Sequence, residues 1–140
     1  LSCAARAAPA GAFFGSLHNT LNHLVVADRI WMRRFTGEGE NHERLDDVPY
    51  AEFSALGAAR RALDARIAGF ISRSDEDALN ADFTYTRTSS PEELTAKLAP
   101  ALAHFFNHQT HHRGQCHQML TAAGAEAPPL DLMFFQRQGT

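Results

Sequence analysis

Lysine is nearly absent from this chain: twelve of its thirteen basic residues are arginines, and Lys97 is the exception. The arginines are scattered, and sixteen acidic residues leave a formal net charge of −3. Binding nucleic acid through its phosphates requires a basic surface, so that class of function is set aside. Cysteine is also scarce. Cys3 and Cys116 lie far apart and make no disulfide framework, which fits a reduced, cytoplasmic protein. No apolar run approaches the roughly 18 residues of a membrane span, and no leader pattern of charged, apolar and small-residue regions opens the chain. Sustained β-branched alternation, internal repeats and low-complexity tracts are missing too, while alanine is abundant. An all-α protein is expected, with residues 1–140 forming one domain long enough to bury a core.

Helical periodicity is what the chain does have. Residues 1–10 are Ala-rich and form at most the stub of a helix, leading through Gly11 and Gly15 to Ser16, a credible N-cap. Leu17, Leu21, Leu24, Val25, Trp31, Met32 and Phe35 then recur at helical spacing until Thr36-Gly37-Glu38-Gly39 stops the pattern. After a polar, acidic loop, Phe53, Leu56, Leu63, Ile67, Phe70 and Ile71 mark a second helix, with Arg60, Arg61 and Arg66 outside. Residues 72–99 read as a long crossover with one extended stretch around Phe83 to Thr86 and one turn of helix, a length that permits parallel neighbours. A last long helix runs from Pro100 to a C-cap at Gly124, and Pro128-Pro129 forbids its continuation. The tail Leu130, Leu132, Met133, Phe134 and Phe135 is apolar enough that packing across the bundle or into a partner subunit is expected. The chain begins with Leu1 rather than Met, so a fragment is expected and the helix count is a minimum.

The histidines carry the chemistry. Stepping about 100° per residue, Ala101, Phe105, His108, His112, Cys116 and Met119 share one side of the last helix. His108 and His112 are thus i,i+4 neighbours on the apolar side, half of a metal site inside a helical bundle. The bland alternative is a pair of core histidines bonded to neighbouring helices. His104, His111 and His117 project away from that stripe. A third ligand must come from another helix, and the helix from Ser16 offers His18 and His23. Periodicity places His23 at the edge of the apolar arc and His18 near Asn22 and Arg29, which leans to His23 without deciding. Cys116 is read as core, because about 12 Å of helix separates it from His108. Asp28 falls on a strongly apolar arc, where an unpaired carboxylate is expensive, and is expected to pair with an arginine, with orientation of a ligand histidine as the alternative. Gln115 and Asn107 flank the pair. Phe13, Phe14, Trp31, Phe35, Phe105 and Phe106 are expected as core or pocket wall, and no stacking role is implied by their positions.

The segments Gly15-Ser16-Leu17-His18-Asn19-Thr20-Leu21-Asn22-His23-Leu24, Ala27-Asp28-Arg29-Ile30-Trp31 and Asn107-His108-Gln109-Thr110-His111-His112-Arg113-Gly114-Gln115, with Pro128-Pro129-Leu130-Asp131-Leu132, resemble the DinB/YfiT-like helical bundle proteins. This family of metal-dependent proteins is distinct from the DNA polymerase sharing the name DinB. The resemblance implies a four-helix bundle whose first helix is truncated or missing here. It also implies one divalent metal ion held by His23, His108 and His112. Three neutral imidazoles suit Zn, Ni, Fe or Mn, leave the ion its full charge and keep a position open, which favours a bound hydroxide or thiolate. The expected activity is a thiol-dependent transferase or a hydrolase acting on a small-molecule substrate, with a low-molecular-weight thiol as the expected partner, in a homodimer. The competing class is a non-catalytic metal-binding or stress-response interaction protein on the same bundle.

Overall fold

Ser16 starts the longest stretch of buried structure as the sequence leads one to expect. Its backbone is extended and its hydroxyl accepts from the Asn19 N–H at 3.1 Å. The helix it caps ends where Gly37 turns left-handed at φ 74°, a conformation that costs glycine nothing. The computed structural model describes residues 1–88 and 90–138. Its elements are α1 (Cys3–Ala7), α2 (Leu17–Thr36), α3 (Phe53–Ile71), α4 (Glu76–Asn80), β1 (Asp82–Thr86), β2 (Glu93–Lys97), α5 (Leu98–Ala122) and α6 (Leu132–Gln138). The fold is mostly helical.

Two corrections concern the crossover. Among its described residues it holds two strands rather than one, paired antiparallel with Phe83 opposite Ala96 and Tyr85 opposite Leu94, a small sheet within a mostly helical fold that agrees with the all-α expectation. Alternation explains it: Phe83, Tyr85, Leu94 and Ala96 share the half-buried face, and Tyr85 and Phe83 meet Trp31 and Phe35 of α2 at ring distances of 5.4 and 5.5 Å. The parallel neighbours, moreover, are joined by a different connection. Asn22 meets Tyr50, Asp28 meets Arg60 and Phe35 meets Phe70, so α2 and α3 run parallel and residues 37–52 carry the chain back. Residues 72–97 join α3 to α5 at one end, and α5 runs antiparallel to both.

Two apolar clusters hold the helices. One gathers Val25, Met32, Leu56, Leu63, Ile67 and Phe105, and the other Leu17, Cys116 and Met119. Cys116 is therefore core, as its position on the stripe implied, and burial pushes its thiol up to about 11. Between the clusters, at the same level on α2 and α5, lie His23, His108 and His112. Asp28 is fully buried and does pair with an arginine: Arg60 Nη1 donates to it at 2.5 Å and Gln109 Nε2 at 2.9 Å, tying α2 to α3 and α5.

The tail does not pack across the bundle. Leu132, Met133, Phe134 and Phe135 of α6 are each more than half exposed, because α6 stands beyond the Pro128-Pro129 break. Phe13 at 88 % and Phe106 at 41 % are exposed as well, so neither is core.

Candidate functional site

His23 comes from the middle of α2, and His108 and His112 from successive turns of α5. One ring nitrogen from each lies within 4.8 Å of the other two, in the one group of three or more potential ligands that His, Cys, Asp and Glu form among the described residues. His108 Nε2 stands 3.4 Å from His23 Nε2 and 3.1 Å from His112 Nε2. The other nitrogens explain why these atoms face one another. His23 Nδ1 donates to the Leu45 carbonyl at 2.7 Å, and His112 Nδ1 donates to Gln115 Oε1 at 2.8 Å. Each Nδ1 therefore carries its ring's hydrogen, and each Nε2 turns a lone pair inward. Gln115 is itself held, since its amide nitrogen meets His111 Nε2 at 3.0 Å.

The arrangement is electrostatically unfinished. A proton on His108 Nε2 serves one of its two contacts well and leaves the other short of a hydrogen. Burial, then the proximity of His112 and His23, presses the His108 pKa down to about 4, so extra protons do not fill the gap near neutral pH. Burial lowers His23 and His112 in the same direction; the Leu45 carbonyl and the Gln115 bond oppose it in part. A divalent cation satisfies all three lone pairs. With ligand nitrogens about 2.0–2.1 Å from a tetrahedral ion, neighbouring nitrogens stand about 3.3–3.4 Å apart, which the two contacts of His108 approach. The donor set thus fits a metal ion.

Phe14 supplies a feature that sequence reasoning missed. Its ring stacks on His23 with centroids 3.8 Å apart, a contact that the reading of the aromatics as core or pocket wall did not imply. Gly15, left-handed at φ 80°, turns the chain between this ring and the α2 cap. His18, the alternative third ligand, points elsewhere: its Nε2 donates to the Tyr50 carbonyl at 2.8 Å. Buried Asn22 grips the same residue from both sides, accepting from the Tyr50 N–H at 3.0 Å and donating to its carbonyl at 3.1 Å. That clamp fastens the 37–52 loop, and with it Leu45, against α2. His111 and His104 are exposed and His117 is half-buried, and none joins the three. His104 nonetheless stands 6.2 Å from His108, ring to ring, and lines the adjacent pocket. Asn107 is exposed, and among the described residues Arg113 bonds only within α5.

A pocket of about 440 Å³ opens onto the cluster, with His23 and His108 in its wall and Trp31, Arg34, Tyr85 and His104 farther along. No carboxylate lines it among the described residues. A site of three clustered imidazoles, supported from behind and open to a pocket on one side, defines a mostly helical protein able to hold a metal ion. A model of the DinB family matches residues 1–139, and the chain belongs to the DinB family. Neither curated proteins nor solved structures match it.

Proposed function

We propose that this protein binds one divalent metal ion through His23, His108 and His112 and acts with it as an enzyme of the thiol-dependent transferase or hydrolase kind. The observation that carries this reading is the meeting of three Nε2 atoms, two of them fixed by hydrogen bonds on the far side of the ring. Such an ion would lower the pKa of a water or thiol at its open position. The rest falls to the chain. Leu45 and Gln115 set the tautomers and hold the rings in place, Phe14 covers the His23 face, and the pocket admits substrate beside His108. This pocket favours an enzyme over a closed structural or storage site, since no fourth His, Cys, Asp or Glu joins the three among the described residues.

In the same reading α2, α3 and α5 are three helices of the family's bundle, with α1 in the place of the first. The protein works in the cytoplasm, where Cys3 and Cys116 stay free, and pairs with a second copy through the apolar side chains of α6. No helix among the described residues is long and apolar enough to cross a membrane. The test is turnover of a low-molecular-weight thiol with 1-chloro-2,4-dinitrobenzene, and of 4-nitrophenyl acetate with water, by metal-loaded protein. Activity that disappears on chelation and in His108→Ala supports an enzyme. Full metal occupancy with neither activity across a broad set of thiols, electrophiles and esters would leave the non-catalytic class.

A further inference from the structure

Arg34 is a half-buried cation of the pocket whose chemistry the three histidines do not use. It sits three residues beyond Trp31 on α2 and folds back so that its guanidinium carbon lies 4.6 Å from the Trp31 ring centre and 4.8 Å from that of Tyr85. Its hydrogen bonds run through Nη2, to the Thr86 carbonyl at 3.3 Å and the Thr88 hydroxyl at 3.0 Å. Those bonds tie the hairpin to α2 and leave Nε and Nη1 without a hydrogen-bond partner among the described residues.

No carboxylate pairs with Arg34 there either, although the chain carries more acids than bases. Burial disfavours its charge, and the nearby Tyr85 offsets that only in part. The other cation of this pocket, Arg87, is exposed and has Glu92 at 3.3 Å. A half-buried guanidinium lying over two adjacent aromatic rings, its charge unmatched by a carboxylate among the described residues and its Nε and Nη1 without partners there, can receive a carboxylate oxygen. A metal ion held by the three histidines at the other end of the pocket would add to the positive potential that a substrate meets.

Length narrows the ligand further. Trp31, over which the guanidinium lies, follows His23 by eight residues, about 12 Å along α2. Rings line the whole interval: Trp31 is 5.2 Å from His104, which is 6.2 Å from His108. We propose that the pocket takes an elongated substrate ending in a carboxylate, and that Arg34 binds this carboxylate while the reacting end lies at the three histidines. The reacting end rests on the metal-site reading; the anionic end does not.

Two matched pairs of probes separate the two. On zinc-loaded protein, 8-mercaptooctanoate is compared with 8-mercaptooctanol by calorimetry. On metal-free protein, octanedioate is compared with 1,8-octanediol. Charge-assisted bonding predicts that each acid binds about tenfold or more tightly than its alcohol. Arg34→Gln should erase both preferences while zinc content stays at the wild-type level. Equal binding of acid and alcohol to the wild type in both pairs would overturn the proposal, as would a preference that survives Arg34→Gln. A protein that takes up no zinc yet shows an Arg34-dependent preference for octanedioate would sink the metal reading and support the anion site. Loss of thermal stability in Arg34→Gln without loss of the acid preference would make Arg34 only a tie between helix and hairpin.

Discussion

Gln115 should matter to the metal nearly as much as a ligand, although it touches none. Its Oε1 takes the hydrogen of His112 Nδ1 at 2.8 Å, and this bond keeps the His112 Nε2 lone pair aimed at His108. Without it the ring is free to turn about χ2 and to move its hydrogen to Nε2, where it would block the site. A hydrogen bond to a group that gains charge on metal binding contributes about 1.5–3 kcal/mol, which corresponds to roughly 10–100-fold in affinity, the range found for partners that orient metal-bound histidines. Gln115→Ala should therefore weaken zinc binding by about that factor, measured in competition with a chromophoric chelator at pH 7.5. Gln115→Glu should keep affinity at or above the wild-type level, because a carboxylate accepts the same hydrogen more strongly. His111→Ala removes only the group that steadies the Gln115 amide and should change affinity by less than about threefold. Wild-type affinity in Gln115→Ala, or an equal loss in Gln115→Glu, would refute the orienting role.

Three further outcomes can be checked. Arg60→Ala leaves the fully buried Asp28 carboxylate with only Gln109 among the described residues and should destabilise the protein by about 3 kcal/mol in urea denaturation, a loss that Asp28→Asn in the same chain should partly reverse. Acidification should destabilise the metal-free protein through its histidines: their folded pKa values lie below 6.5, so the unfolded chain takes up protons first and stability falls as pH drops from 6.5 toward 4. Asp28, raised to about 6 by burial against the pull of Arg60, acts in the opposite sense over pH 4–6, and Asp28→Asn should make the acid loss steeper in a pH series of denaturation curves. If α6 pairs with a second copy, light scattering should give twice the 15.4 kDa chain mass, and Leu132→Ser with Phe135→Ser should return the monomer; a monomeric wild type would exclude that role.

The sequence made the long helices legible because their signals are local: Ser16 before Leu17, Gly37 after Thr36, and apolar residues every three or four positions between them. The i,i+4 step that puts His108 and His112 together is equally local, and so is the apolar arc that made Asp28 need a cation. Which cation could not be read, because Arg60 lies on a helix whose parallel placement depends on the 37–52 loop. The second strand was hidden for a similar reason. Glu93 to Lys97 has little strand propensity of its own and pairs only because Phe83 and Tyr85 find Trp31 and Phe35 to pack on. Leu45 contributes a backbone carbonyl, which leaves no mark on residue type. Phe14 gave only the signal of an aromatic close to a helix cap, and Gln115 only that of an amide one turn beyond the HxxxH pair.

The most direct test is metal content by mass spectrometry on tag-free protein purified without added metal, beside His23→Ala, His108→Ala and His112→Ala and, as controls, His104→Ala and His117→Ala. About one divalent ion per chain is expected, lost in each of the first three variants and kept in the controls. No metal in the wild type even after reconstitution, or equal loss across both groups, would contradict that expectation.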